Sequence, residues 1–187
     1  MRVFIALPLS PETREGVSEA VESFKRRYCN ELTEGSWVKK DNLHITLLFL
    51  GEVAEDEAGA YIKSVSNALA GQKKFKLSFG GYSAFPSIKN VKVLYSFLKD
   101  GAESCRRLHE KISAALPARF SEGAVFRSHL TIARFHRKKP VLPAEAWRQK
   151  MTLYFTADKC VFYRSVLSRK GAEYTELAAI PFNGERE

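Results

Sequence analysis

The chain has 187 residues, 45% of them hydrophobic and 12% aromatic, so it is long and apolar enough to bury a core and does not read as a disordered segment. Its formal net charge of +9, from 30 Lys and Arg against 21 Asp and Glu, favours an acidic partner such as nucleic acid or another phosphorylated ligand. Three cysteines without a CxxC pair argue against a disulfide framework or a structural zinc site, and no apolar stretch reaches the roughly 18 residues of a membrane span; a cytoplasmic protein with no membrane partner is expected.

Arg2 to Leu9 holds the short apolar run of a first strand, closed by Pro8. Ser10 before Pro11 then marks a helix start, because the hydroxyl can accept a free backbone N–H while proline has none to leave unpaired. That helix carries Val17, Ala20, Val21 and Phe24 on its buried side and ends near Tyr28. The next strand lies within Trp37 to Leu50 and stops at Gly51. Glu52, Glu55, Asp56 and Glu57 precede a second helix through Ile62, Val65, Ala68 and Leu69, with Gly71 to end it.

Two strands, Phe75 to Tyr82 and Asn90 to Leu98, are separated by a turn containing Pro86 and Ser87. A helix from Ala102 to Leu116 places Leu108, Ile112 and Leu116 on one side, and Pro117 ends it. Val125 to Phe135 reads as a strand, a short helix follows around Ala144 to Lys150, and CVFYRSVLS and AEYTELAAIPF flank a turn at Arg169, Lys170 and Gly171. This order predicts an α+β protein built from two sheet-and-helix units, and no linker rich in Gly, Ser or Pro divides it. The basic residues fall in short groups, among them Lys73-Lys74 and Arg106-Arg107, each of which reads as solvated surface.

Within that order one pattern occurs twice: His44-Ile45-Thr46-Leu47 and His129-Leu130-Thr131-Ile132. In a strand, His44 and Thr46 share one face and Ile45 and Leu47 the other, and the second copy behaves identically. A single strand histidine is an ordinary core-edge residue; two matched pairs use half of the four histidines in the chain. His109 sits in an amphipathic helix beside Glu110 and reads as solvated, and His136 begins a basic run. Two histidines without a suitably spaced third ligand fall short of a catalytic zinc set, and there is no HExxH and no GxSxG. No metal and no cofactor are expected.

Two imidazoles suit a phosphodiester. With an unperturbed pKa near 6.5, one ring can accept a proton from water while the other gives one to the leaving oxygen. Threonine hydroxyls and an arginine can hold the non-bridging oxygens as charge grows. Arg134 is the local candidate, but five positions after His129 it falls on the opposite face of an ideal strand and needs a bulge, a twist or the strand's end to turn it back.

The two motifs, in NLHITLLFLG and SHLTIARF, together with RVFIALPLS, Trp37 and SVLSRKGAEYTEL, resemble the 2H phosphoesterase superfamily and its RNA 2′,3′-cyclic phosphodiesterase, or 2′-5′ RNA ligase, family. The resemblance covers nearly the whole chain. It implies a single bilobal domain over residues 1–187, with two pseudo-symmetric lobes, each an antiparallel sheet flanked by helices, and a central cleft. It implies hydrolysis of RNA 2′,3′-cyclic phosphate ends to 2′-phosphates, with His44 as general acid, His129 as general base, and Thr46, Thr131 and Arg134 binding the phosphate. Implied partners are RNA ends bearing that cyclic phosphate, including tRNA fragments, and small cyclic nucleotides, acted on by a monomer. Cleavage or ligation of 2′-5′ linkages, and RNA or nucleotide binding without catalysis, stand as alternatives. Phe4, Trp37 and Tyr163 are candidates for stacking a nucleobase.

Overall fold

The computed structural model describes residues 1–120, 125–136, 139–168 and 171–184. Its strands are β1 (Arg2–Pro8), β2 (Ser36–Trp37), β3 (His44–Glu52), β4 (Phe75–Ser87), β5 (Asn90–Asp100), β6 (His129–Arg134), β7 (Tyr154–Ala157), β8 (Lys159–Ser168) and β9 (Gly171–Pro181). The α-helices are α1 (Pro11–Arg27), α2 (Glu55–Ala68) and α3 (Ala102–Ala114). The α+β class expected from the element order is therefore observed. Arg169 and Lys170 of the expected turn lie outside the described residues.

All strand pairings are antiparallel, and the order across the sheet is β7-β4-β5-β6-β3-β1-β8-β9, with β2 added beside β6. The midpoint falls between β6 and β3, the two motif strands, joined through the Ile45–Leu130 pair. Four strands lie on each side, forming the two lobes. They are not successive halves of the chain: β4 to β7 come from its middle, whereas β1, β3, β8 and β9 bring its two ends together.

The helices interlock these lobes from behind. Helix α1 starts as the sequence predicts, with Thr13 N–H donating to Ser10 Oγ at 3.2 Å and Pro11 in its first turn. It follows β1 but crosses to the other lobe, where Phe24 packs on Tyr82 of β4 at 4.1 Å between ring centroids, and the Tyr82 hydroxyl donates to Ala20 O. Helix α3 follows β5 and reaches the first lobe, where the His109 ring donates to Leu47 O of β3 at 2.8 Å. Between sheet and helices lies a core that includes Ile5, Leu7, Val17, Ile45, Val65, Leu94, Leu108, Ile112 and Leu130, all at most 1% exposed.

Several boundaries differ from the sequence reading. Strand β4 runs through Pro86 to Ser87 instead of ending at Tyr82. Proline is tolerated there because β7 pairs only with Phe75 to Ser78, which leaves one edge of β4 open, and the ladder with β5 shifts register at Pro86. The segment from Trp37 to Leu50, expected to contain one strand, holds the end of β2, a 3-10 turn at Lys40–Asn42 and most of β3, which runs on to Glu52. Residues 125–128 are not in β6, and the expected helix around 144–150 is a 3-10 turn at Ala146–Arg148.

Candidate active site

The register that pairs Ile45 with Leu130 sets His44 beside Thr131 and Thr46 beside His129. Alternation sends Ile45 and Leu130 into the core, where both are fully buried, and leaves the four polar residues half-buried on the opposite face. The two histidines are diagonal neighbours across this central pair, a relation that places such residues about 7–8 Å apart, with their Cβ atoms somewhat closer. The centre of the sheet thus presents two imidazoles and two hydroxyls over one phosphate-sized patch.

Arg134 joins them through a bulge. Across β5 and β6, Tyr95 pairs with Thr131 but Leu94 pairs with Ala133, so Ile132 is the extra residue. Ile132 and Ala133 are consecutively buried, and Arg134 returns to the face of His129 and Thr131, opposite Val93. The guanidinium lies near enough that its charge acts on His44, on His129 and on the Tyr174 hydroxyl. The first motif has the same device: Ala6 pairs with Thr46 but Ile5 with Leu48, so Leu47 is extra, Leu47 and Leu48 are both buried, and Phe49 emerges where the other lobe has Arg134.

Each imidazole is held by its own motif. The Nδ1–H of His44 donates to Asn42 O at 2.7 Å, and that of His129 to Arg127 O at 2.6 Å. A carbonyl can only accept, so in each neutral ring Nε2 carries the lone pair. In His44 that nitrogen accepts from the Thr46 hydroxyl at 3.1 Å; in His129 it has no hydrogen-bond partner among the described residues. Aromatic rings fix both imidazoles from the sides. His44 lies 4.9 Å from Phe4 and 5.4 Å from Tyr174, and His129 lies 5.0 Å from Phe85 and 5.3 Å from Tyr95.

These surroundings keep both rings neutral. Burial pushes the His44 pKa from 6.5 down to about 4, opposed by its bond to Asn42 O and reinforced by the charges of His129 and Arg134. Burial also lowers that of His129, again opposed by its carbonyl bond and reinforced by Arg134. An anion seated between the imidazoles and the guanidinium would reverse those charge effects. No cluster of three His, Cys, Asp or Glu side chains able to hold a metal ion occurs among the described residues.

The stacking candidates separate. Phe4 is only 3% exposed and serves as a wall behind His44, with Tyr163 stacked on its ring at 5.3 Å. Trp37 pairs with Ala133, on the face away from Arg134, and packs against Phe135 and beneath Lys25, so it does not face the motif side chains. His109 is not solvated as expected: besides its bond to Leu47 O it stacks on Phe126 at 4.3 Å, because its helix turns it inward onto the bulge of β3. His136 is exposed. Tyr174, Phe85 and Tyr95 were missed, since a strand aromatic carries no sign of which histidine it will meet.

Comparison with known proteins follows the same outline. A family described as LigT like phosphoesterase matches residues 7–95. The chain is 31% identical over 183 residues to an RNA 2′,3′-cyclic phosphodiesterase of Archaeoglobus fulgidus, covering 95% of this chain and 98% of that protein. It is 28% identical over 181 residues to one of Aquifex aeolicus, covering 92% and 94%. Among solved structures, a Thermus thermophilus protein superposes with a TM-score of 0.81 at 27% identity, covering all of both chains. The fold is also that of E. coli LigT complexed with 3′-AMP, at a TM-score of 0.77 and 22% identity over 97% of this chain and 98% of that one.

Proposed function

The chain belongs to the RNA 2′,3′-cyclic phosphodiesterase family of the 2H phosphoesterase superfamily, and from that premise we infer that it hydrolyses RNA 2′,3′-cyclic phosphate ends to 2′-phosphomonoesters with His44 and His129 as acid and base. The observation that carries the assignment is the pair of Nε2 atoms on one face of the sheet, with Arg134 returned to that face by the Ile132 bulge.

Neutral His129, its Nε2 free of any partner among the described residues, takes a proton from water as the water oxygen attacks phosphorus. The bond from phosphorus to the 3′ oxygen breaks, and His44, protonated at Nε2, gives its proton to that oxygen. His44 is neutral in the resting site, so the negative cyclic phosphate is what raises its pKa enough to load it. Thr46, Thr131 and Arg134 donate to the non-bridging oxygens, and the arginine contact tightens as charge accumulates there. The product leaves with a 2′-phosphate and a free 3′ hydroxyl.

The test is single-turnover hydrolysis of a short RNA ending in a 2′,3′-cyclic phosphate, in excess EDTA, with identification of the product end. A 2′-phosphate formed at undiminished rate is expected. A 3′-phosphate would reverse the direction of opening, and loss of turnover restored by a divalent ion would transfer the charge stabilisation to a metal. Including an RNA with a 5′ hydroxyl in the same reaction, tRNA halves among them, tests joining by the reverse chemistry, in which that hydroxyl replaces water.

A further inference from the structure

We propose that the ring of Phe97, laid on a glycine beside His129, is a stacking platform for the base of the nucleoside whose 5′ oxygen enters or leaves at the phosphate, so that the site takes a nucleoside as well as water. The proposal rests on the acid and base roles read above and adds a second nucleoside subsite to them.

Three aromatic rings are exposed among the described residues: Phe49, Phe97 and Tyr154. Tyr154 lies on the edge strand β7 and Phe49 on the strand of His44, whereas Phe97, 41% exposed, is the direct cross-strand partner of His129. Directly opposed residues share a face, so Phe97 stands on the catalytic face, its Cα about 5 Å from that of His129. Its ring leans away from the histidine over β4, where Gly81 pairs with Phe97 and Phe79 with Leu98, leaving Gly80 as the extra residue of a bulge. A Cβ on Gly80 would overlap Cε2 of the ring and come within 2.7 and 2.9 Å of Cζ and Cδ2, the atoms on either side of it. Close approach to three consecutive atoms is contact with the face of a ring, not with its rim. The missing side chain at position 80 is what lets the ring lie down, with one face on the glycine backbone and the other left to solvent. A ring seated in this way is preorganised, and its free face accepts any base, since every base has a π-face.

The direction of the chemistry selects the nucleoside. The strands run β5-β6-β3, so β6 separates Phe97 from the strand of His44. In the reaction above, the 3′ oxygen leaves toward His44 and the nucleophile arrives beside His129, on the opposite side of phosphorus. The ribose of the cyclic end is bound to phosphorus through that 3′ oxygen and its neighbour, so it and its base lie on the His44 half. Water, arriving on the other half, needs no aromatic surface; a nucleoside hydroxyl in its place brings a base with it. The free ring beside His129 therefore fits the second nucleoside of a 2′-5′ phosphodiester. In cleavage of that linkage, His44 takes the proton of the 3′ hydroxyl as its oxygen bonds to phosphorus, the bond from phosphorus to the 5′ oxygen breaks, and His129 gives that oxygen a proton. The products are a 2′,3′-cyclic phosphate and a 5′ hydroxyl; joining is the reverse, and atoms and protons balance without a further reactant.

The experiment compares two dinucleotides with a 2′-5′ linkage, one with adenine on both nucleosides and one abasic at the second, on wild type, Phe97→Ala, Phe97→Leu and Phe97→Trp. In wild type, kcat/KM for the full dinucleotide should exceed that for the abasic one by about tenfold or more, the scale of one stacked base. That ratio should fall to near one in Phe97→Ala and in Phe97→Leu, which keeps an apolar side chain without a π-face, and should be kept or raised in Phe97→Trp. Binding of the same pair made with a 3′-deoxy first ribose, which has no hydroxyl to attack phosphorus, is measured by calorimetry, and the ratio of the two Kd values should change in the same way. Equal ratios in wild type and Phe97→Ala would overturn the platform. Hydrolysis of a 2′,3′-cyclic mononucleotide by wild type tests the histidine roles separately: if it is absent, the acid and base reading falls, and the Kd ratio still decides the platform. If it is present and wild type binds the full and abasic dinucleotides equally, the platform falls and the catalytic reading stands.

Discussion

The two motif strands can be compared residue by residue because each carries the same backbone device. On β3 and on β6 a histidine donates through Nδ1 to the carbonyl two residues before it, a threonine follows two residues after, and a bulge then turns the third side chain beyond that threonine back onto the same face. On β6 that side chain is Arg134, on β3 it is Phe49, 61% exposed. Near-symmetric backbones thus support unlike halves, one half bringing a fixed positive charge and the other an apolar ring. The His44 half is further distinguished by a Thr46 hydroxyl bonded to Nε2 and by a pKa held at about 4. The two histidines differ here through their neighbours, since their own anchoring is the same.

Removing either imidazole should produce the largest effect. His44→Ala and His129→Ala are each expected to slow the chemical step by about 10² to 10⁴ in single-turnover hydrolysis, while RNA binding measured separately is largely retained. Comparable loss from both breaks any reading in which one histidine only positions the other; wild-type chemistry in either variant would defeat the acid and base pair.

Next in size is the residue that breaks the symmetry. Arg134→Gln removes a donor to the developing charge and should lower kcat by about 10² to 10³. Its charge also lowers both imidazole pKa values, so the limbs of the kcat/KM profile should move to higher pH in this variant. A large rate loss with limbs unmoved would place Arg134 away from the histidines.

The pH dependence itself sharpens the comparison. In the free protein His44 titrates near 4 and His129 below 6.5, so kcat/KM for a cyclic mononucleotide should be a bell with its maximum between about 4 and 6.5. Bound phosphate favours imidazolium, so the kcat profile should lie at higher pH than that of kcat/KM, and phosphate binding should take up protons near neutrality. Profiles centred above pH 7 in kcat/KM would contradict the buried setting of the two rings.

A smaller effect is expected from behind the sheet. His109→Ala leaves the carbonyl of Leu47 unsatisfied beneath the β3 bulge, which should cost about 1–3 kcal/mol of stability, read as a fall in Tm, with less than tenfold loss in kcat. The smallest belongs to Phe49→Ala, whose exposed ring contributes within about 0.5 kcal/mol to stability. A larger loss of stability there than in His109→Ala would mean that the apolar half of the comparison has been misjudged.

The sequence by itself determined the α+β class, the Ser10 and Pro11 start of α1, the strands carrying both motifs and the sharing of one face by each histidine and its threonine. Those features follow from local periodicity, capping chemistry and the alternation of side chains, and each is encoded within a few residues. The same local rules left the face of Trp37 open and misjudged His109, because which face of a short strand or helix meets which neighbour depends on pairing with distant segments. Only the tertiary structure decided that β1, β3, β8 and β9 make one lobe, that Tyr174, Phe85 and Tyr95 flank the histidines, and that Arg134 reaches them at all. The parity of an ideal strand sends Arg134 away; pairing with β5 while burying both Ile132 and Ala133 inserts the bulge that returns it, and no count along one strand contains its partner's register.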